Sequence, residues 1–393
     1  MVIQTSTTHP ASPETNATGV QRFDRHLSVP LNGATTRFHY LWLRDNCWCS
    51  ECKVTQSGER RLFTAHIPPD ITAVSADLDD AETLHVQWTD GHHSAYSSRW
   101  LSAYSYEDDA RSRLVHDPVL WDASLSSVPT FAHADVVGTT DGQLAYLDAV
   151  RDYGMAIVRH TPSKDGEVER FAEALGHVRE TAFERIHNVR HDPDGYNVAH
   201  TPIELKPHTD LPSYHWPPSV QLLHFLVNEA DGGESTVTDG WAVLADLRST
   251  DPRAFDTLCR TPVHFQLFSD EEDTAAVAPM VALDSNGCVQ SFRYSNQLAQ
   301  PLSVAFDEVE EFYRAYSALG QLIDGDTYKL PFKSRNGDLL TVHGHRVLHG
   351  RLAFDPASGA RHLQDVYLEY DDLMARRRVL AGTHKPPSAL DLT

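Results

Sequence analysis

Apolar and polar positions change rhythm along the chain. The first twenty residues, "MVIQTSTTHPASPETNATGV", have no periodic apolar position and read as a disordered tail. From residue 21 short alternating segments follow: "TRFHYLWL", "ITAVSADL", "TLHVQWTD" and "HSAYSSRWL", with turn residues between them. Period-two alternation predicts half-buried strands, so residues 21–115 are expected to form a small β-rich domain.

The elements beyond "RSRLVHDPVLWDASLSSVPTF" are longer. "DGQLAYLDAVRDYG" carries helical spacing and stops on a glycine, a usual helix end. "GMAIVRH" and "SVQLLHFLVN" are apolar runs that predict buried strands. "KDGEVERFAEALGHV", "GWAVLADLRSTDPRAFDTLC" (with a boundary at Pro252) and "FDEVEEFYRAYSALGQLI" predict helices. "GDLLTVHGHRVLHGR" and "RHLQDVYLEYDD" predict two strands joined by a loop, and "SDEEDTAA" reads as a solvated loop, with a lid as the weaker alternative. Residues 116–393 are therefore expected to form one larger domain of α+β, mainly β, class.

Charge narrows the partners. With 33 basic and 55 acidic residues the net charge is −22, which argues against nucleic acid or an anionic membrane as partner. No apolar run approaches the ~18 residues of a membrane span. The start has neither a basic nor an apolar signal region, and the five cysteines are an odd count. Both features predict a reducing, cytoplasmic location.

Three of those cysteines crowd into "RDNCWCSECK" at spacing C-x-C-x2-C. Zinc in a structural site takes four ligands in a tetrahedron, and "WTDGHHSAY" offers His92 and His93 for the fourth position. A small domain with a thin core gains from such a staple; free thiols packed in that core are the alternative. Cys259 and Cys288 stand alone and read as inert thiols.

The second cluster begins in "KPHTDLPSYHW". Lys206, Pro207 and Pro212 discourage a helix, and in extended chain His208 and Asp210 point to one face while Thr209 faces away. A third ligand would complete the two-histidine, one-carboxylate face that holds Fe(II) and leaves positions for co-substrate and oxygen. Candidates downstream are His224, His264, His343, His345, His349 and His362. His349 lies in "RVLHGRLAF", and twelve residues later Arg361 opens the next strand in "GARHLQDVY". A guanidinium there suits the distal carboxylate of 2-oxoglutarate. A zinc hydrolase using the same ligands has no use for Arg361, and intact ligands tell against a purely regulatory protein.

The stretches "LWLRDNCWCSECK", "WTDGHHSAYSSRWL", "HTDLPSYHWPPSVQLLH", "DGGESTVTDG" and "VLHGRLAF…RHLQDVYLEYDD" span residues 38 to about 380. Together they resemble the γ-butyrobetaine dioxygenase group of the taurine dioxygenase-like Fe(II)/2-oxoglutarate oxygenases. The resemblance implies a double-stranded β-helix (jelly roll) catalytic domain behind the zinc-bearing one. It implies Fe(II) on His208, Asp210 and His349, and 2-oxoglutarate on Arg361 with Ser235. It also implies structural zinc on Cys47, Cys49, Cys52 and His92, and a homodimer. The implied reaction consumes O2 and the keto acid and hydroxylates an aliphatic C–H of a small molecule, releasing succinate and CO2.

Members acting on trimethylammonium substrates surround the cation with aromatic rings. The corresponding positions here hold Phe183, His187, His200 and Leu211, with Tyr367 retained. Asn197 matches a family position, Asn296 is expected to face the same cavity, and Arg185 or Arg190 lies near. These replacements predict a small polar or zwitterionic substrate of betaine, amino-acid or phosphonate type. γ-Butyrobetaine hydroxylation proper, or desaturation or rearrangement by the same kind of enzyme, is the alternative. Among other residues, His224 reads as a satisfied core histidine, and His343, His345 and His362 as packing residues. Arg346 and Arg351 read as salt-bridge residues, and Tyr214, His215 and Trp216 as rim packing.

Overall fold

The computed structural model describes residues 14–112, 116–191, 198–269 and 272–383. The chain divides between His116 and Asp117 into two compact units.

The first unit holds two antiparallel sheets. One contains β1 (Glu14–Thr15), β2 (Gln21–Arg22), β3 (His26–Leu31) and β4 (Ala34–His39), in that order, and is followed by α1 (Tyr40–Asp45). The other contains β5 (Ala73–Leu78), β6 (Thr83–Trp88) and β7 (His93–Ser97), followed by α2 (Ser98–Ala103). Leu27, Phe38, Leu43, Leu84, Trp88, Tyr96 and Trp100 form its core. Two expectations change here. Residues 14–20 are not part of a tail: β1 pairs with β2, Val20 is fully buried, and Asn16 donates to the Ala76 carbonyl at 2.6 Å. "YLWL" and "SRWL" are helical turns rather than strand, because each is too short for period two and period 3.6 to be told apart.

In the second unit β8 (Thr130–Ala132), α3 (Thr140–Tyr153), β9 (Met155–Arg159), α4 (Glu167–Glu173) and β10 (His187–Arg190) come first. Then follow β11 (Leu205–His208), β12 (Val220–Asn228), β13 (Ser235–Asp239), α5 (Gly240–Thr250), α6 (Pro252–Arg260), β14 (Pro262–Phe268) and β15 (Asp273–Pro279). The rest comprises α7 (Val309–Asp324), β16 (Leu330–Phe332), β17 (Leu339–His343), β18 (Val347–Arg351), β19 (Arg361–Leu368) and α8 (Tyr370–Leu380). A six-stranded sheet runs β10-β19-β12-β17-β9-β8 and a four-stranded one β11-β18-β13-β16. From β11 to β19 the chain passes back and forth between these sheets, the alternation that defines a jelly roll.

Period-two geometry sorts the large sheet's side chains. Leu222, Leu339, Ala156, Val158, Val366 and Leu368 pack with α3, α4 and α8 through Tyr146, Phe171 and Leu373. Leu223, Phe225, Leu340, Val342, Met155, Ile157 and Leu363 face the other way and meet Val237 and Val347 of the small sheet. Both faces are covered, which is why "LLHFLV" reads as a continuous apolar run. The N-terminal border of this unit is locked by Arg346, which is fully buried. Its guanidinium pairs with Asp239 at 2.8 Å and donates to the Asp152 and Val119 carbonyls, while Asp239 also accepts from Trp121 N–H at 3.2 Å.

Three further expectations shift. "RHLQDVYLEYDD" ends its strand at Leu368 and turns into α8. The 269–276 stretch is not a simple loop: Asp273 begins β15, which pairs with β14 from Pro262↔Pro279 to Phe268↔Asp273, and residues 270–271 lie outside the described ones. His224 is buried but not satisfied: neither ring nitrogen has a partner among the described residues, and burial pushes its pKa down to about 4. Among the described residues no helix is long and apolar enough to cross a membrane.

Candidate active site

His208 and His349 are direct cross-strand partners on β11 and β18. Their rings stand 4.6 Å apart. His208 Nδ1 lies 2.9 Å from the Lys206 carbonyl, which leaves Nε2 as its free ligand atom. Asp210 follows the end of β11, where Leu211 takes a positive φ of 50° and turns the chain. Thr209 anchors this turn through Tyr294, donating its N–H at 2.7 Å and accepting from Tyr294 N–H at 3.0 Å. Asp210 Oδ1 thereby comes 3.2 Å from His208 Nε2 and 3.8 Å from His349 Nε2. One ligand atom from each residue lies within 4.8 Å of the others, a spacing that can hold one metal ion. Gly350 permits this: a Cβ there would sit 2.6 Å from the Leu205 carbonyl and 2.8 Å from Thr236 Oγ1.

Electrostatics set the acid apart from the imidazoles. Burial opposes its ionisation, yet His349, His208 and the Tyr367 hydroxyl hold Asp210 well below the usual carboxylate range. Burial pushes His349 down to about 4. His208 is also resisted by burial, but Asp210 outweighs it and raises its pKa. The outer oxygen Oδ2 of Asp210 accepts from Tyr367 O–H and from Gln221 Nε2, each at 2.7 Å.

The three residues line a cavity of about 430 Å³. Arg361 and Ser235 line it as well. The Arg361 guanidinium has phenyl rings for neighbours, Phe354 at 5.7 Å and Phe225 at 5.9 Å, and no ion pair among the described residues. Burial, helped by the nearby Arg351, pushes it down to about 9. Two guanidinium groups, one buried and one half-buried, with no acid between them among the described residues, call for an anion.

Of the other expected pocket residues, Phe183, His187, Leu211 and Tyr367 line the cavity. His200 does not; its ring stands edge-on to His187 at 5.8 Å. Asn296 is exposed and accepts from the Tyr316 hydroxyl at 3.0 Å, away from the cavity lining. Asn197 lies outside the described residues. Arg190 is exposed, and Arg185 pairs with Glu169 and Glu173, so neither enters the cavity. Among the described residues Arg351 makes no salt bridge: it donates to the Ala199, Thr201 and Ile203 carbonyls at 2.7–3.0 Å and lines the cavity. Gln221 and Asp365 escaped the sequence reading. The signal was available, since Arg361, Leu363, Asp365 and Tyr367 alternate along β19 and all face the cavity.

The first unit has its own cluster. Cys47, Cys49 and Cys52 follow α1, and His92 sits just before β7. His92 Nε2 is 3.3, 3.5 and 3.6 Å from the three Sγ atoms. A tetrahedron with ~2.3 Å zinc–sulfur and ~2.0 Å zinc–nitrogen bonds has S···N edges of about 3.5 Å. Burial raises the Cys47 thiol and pushes Cys52 up to about 12, a cost that a bound cation reverses. The cluster is consistent with zinc.

Comparison with known proteins adds the lineage. Residues 121–367 match the family described as taurine catabolism dioxygenase TauD, TfdA, and residues 19–102 match the gamma-butyrobetaine hydroxylase-like N-terminal family. The gamma-butyrobetaine dioxygenase of Pseudomonas sp. (strain AK-1) is 37% identical over 354 residues, 89% of this chain and 92% of that protein. The human gamma-butyrobetaine dioxygenase is 29% identical over 86% of this chain and 90% of that protein. The mitochondrial trimethyllysine dioxygenase of Mus musculus is 29% identical over 96% of this chain and 90% of that protein. The chain therefore belongs to the taurine catabolism dioxygenase TauD, TfdA family and is an Fe(II)/2-oxoglutarate-dependent dioxygenase.

Proposed function

We propose that this dioxygenase hydroxylates an aliphatic C–H of a small polar or zwitterionic metabolite of betaine, amino-acid or phosphonate type. Fe(II) would be held by His208, Asp210 and His349, and 2-oxoglutarate by Arg361 with Ser235. One atom of O2 enters the substrate as hydroxyl and the other enters succinate as 2-oxoglutarate loses CO2. When bound, Fe(II) supplies the coordination positions at which oxygen and the keto acid meet.

The observation that carries the assignment is Arg361, a half-buried residue whose guanidinium has no counter-charge among the described residues, lining the same cavity as three convergent ligand atoms. Tyr367 and Gln221 occupy the outer oxygen of Asp210 and keep Oδ1 turned to the imidazoles. Zinc on Cys47, Cys49, Cys52 and His92 would staple the first unit. The family likeness favours a homodimer, and the odd cysteine count favours a reducing, cytoplasmic location. The names of the relatives support a second reading, γ-butyrobetaine hydroxylation proper. The histidine at position 187 weighs against it, because an imidazole is a poorer cation–π face than an aromatic hydrocarbon ring.

The test is spectroscopic and chemical. Under anaerobic conditions Fe(II) plus 2-oxoglutarate should give a weak visible charge-transfer band. Arg361→Ala should weaken 2-oxoglutarate binding by about 100-fold or more, the range for losing a bidentate charged partner. A band unaffected by that substitution would refute the assignment. Succinate release against betaines, amino acids and phosphonates then identifies the substrate class.

A further inference from the structure

The cavity wall formed by β10, β12 and β19 carries three polar side chains that the reading above does not use as metal or keto-acid ligands: His187, Gln221 and Asp365. His187 and Asp365 are direct cross-strand partners. Gln221 Nε2 donates to Asp210 Oδ2 and to Asp365 Oδ2, each at 2.7 Å. Both amide hydrogens are thus spent on carboxylates, and a reversed amide would set its oxygen against two negative groups. Gln221 Oε1 is therefore an acceptor, and it is buried without a partner among the described residues.

Asp365 is 1% exposed. Its Oδ1 is also without an aligned donor; His187 Nδ1 lies 3.0 Å away, off the hydrogen-bonding line. A carboxylate beside Nδ1 keeps the proton on that nitrogen, which makes Nε2 of the neutral ring an acceptor too. Nε2 is likewise buried and has no partner among the described residues. One wall of the cavity thus presents three acceptor atoms and no donor of its own to meet them. Buried acceptors left unmet are costly, so the occupant of this wall must bring hydrogens.

The charge of the wall points the same way. Burial resists a proton on His187, yet Asp365, with Asp210 behind it, raises the pKa of the ring. The same field favours a bound cation, and with that cation in place the ring stays neutral and Nε2 an acceptor. Phe183 is stacked on His187 at 4.5 Å, so one face of its ring is already covered.

We propose that the Gln221–Asp365–His187 wall receives a substrate ammonium group that keeps at least one N–H, a primary to tertiary amine, and discriminates against a quaternary ammonium. The proposal rests on the hydroxylase reading and specifies the substrate class of that site. A trimethylammonium head of the same charge has no hydrogen to offer, so all three acceptors stay unmet when it binds.

The experiment is a methylation series on one carbon chain: 4-aminobutyrate and its N-methyl, N,N-dimethyl and N,N,N-trimethyl forms, with glutarate as an anion-headed control. Each is titrated calorimetrically into protein loaded with Mn(II) and 2-oxoglutarate, and succinate release is followed with Fe(II). The N–H members should bind at least about tenfold tighter than the trimethyl form. In Asp365→Asn and Asp365→Ala that margin should fall to about threefold or less, with the Fe(II)–2-oxoglutarate band unchanged. Equal or tighter binding of the trimethyl form, strongest binding of glutarate, or no binding by any member would overturn the proposal. None of these outcomes removes the band, so the dioxygenase assignment stands or falls separately on Arg361.

Discussion

In the first unit four ligand atoms close around one point, three thiols and an imidazole, with every S···N edge between 3.3 and 3.6 Å. In the second unit two imidazoles and a carboxylate take one side of a point, and a cavity of about 430 Å³ takes the other. The two sets differ in what stands behind them. The cysteines follow a helix of six residues in a unit whose sheets are short, and Arg44, itself nearly buried, reaches both Asp90 and Cys52. The histidines stand on paired strands of a jelly roll whose sheets are already packed on a core. A closed set can hold a fold together, whereas an open set needs a fold that holds without it.

That contrast is most exposed to attack at the cluster. If the cluster holds the proposed zinc, a strong chelator, or Cys47→Ala, should melt the first unit, since a structural zinc supplies on the order of 10 kcal/mol of apparent binding energy. Hydrogen exchange resolved along the chain would check it: amides of residues 20–103 should lose protection while those of β12 and β19 keep theirs. Unchanged protection in β3 and β6 would mean that the cluster is not structural.

His349→Ala is the converse and should abolish turnover without unfolding. Activity should fall by more than the roughly 100-fold that losing a residue behind a metal ligand costs. Metal-free melting of the second unit should move by no more than about 4 °C, the shift of ~1 kcal/mol in a domain of this size. A larger drop would show that the open set also carries the fold.

The smallest effect is expected on acidification. His224 titrates near 4 in the folded protein because it is buried, against 6.5 when exposed. Between those values the unfolded chain binds the extra proton, so stability is full above pH 6.5 and declines as pH falls toward 4. The whole window is worth up to about 3 kcal/mol. His224→Leu should flatten the decline in melting temperature of the second unit between pH 7 and 5, and an unchanged slope would assign the acid sensitivity elsewhere.

Local motifs were the legible part. His208 and Asp210 are two residues apart, and the three thiols fall within six, so strand geometry and ligand spacing expose them in the chain itself. Arg361 was legible only through its distance from His349. Of the proposed substrate wall, His187 was legible through the family resemblance, but Gln221 and Asp365 were not, because they come from other strands whose neighbours are decided by sheet order. Asn296 illustrates the other failure: it stands beside Ser295, which lines the cavity, but points outward to Tyr316. Among elements, β14 and β15 were obscured by the acidic run between them, and α8 by following directly on β19 without a glycine or proline between them.

Arg346 sets a lower limit on how far the catalytic unit can be shortened. Its guanidinium leans on the Val119 carbonyl, and its partner Asp239 accepts from Trp121, both upstream of any residue that lines the cavity. A version starting at Asp122 would retain every residue proposed to bind iron, keto acid or substrate. It would still strand part of a sealed charge pair, and each lost hydrogen bond there costs about 1–3 kcal/mol.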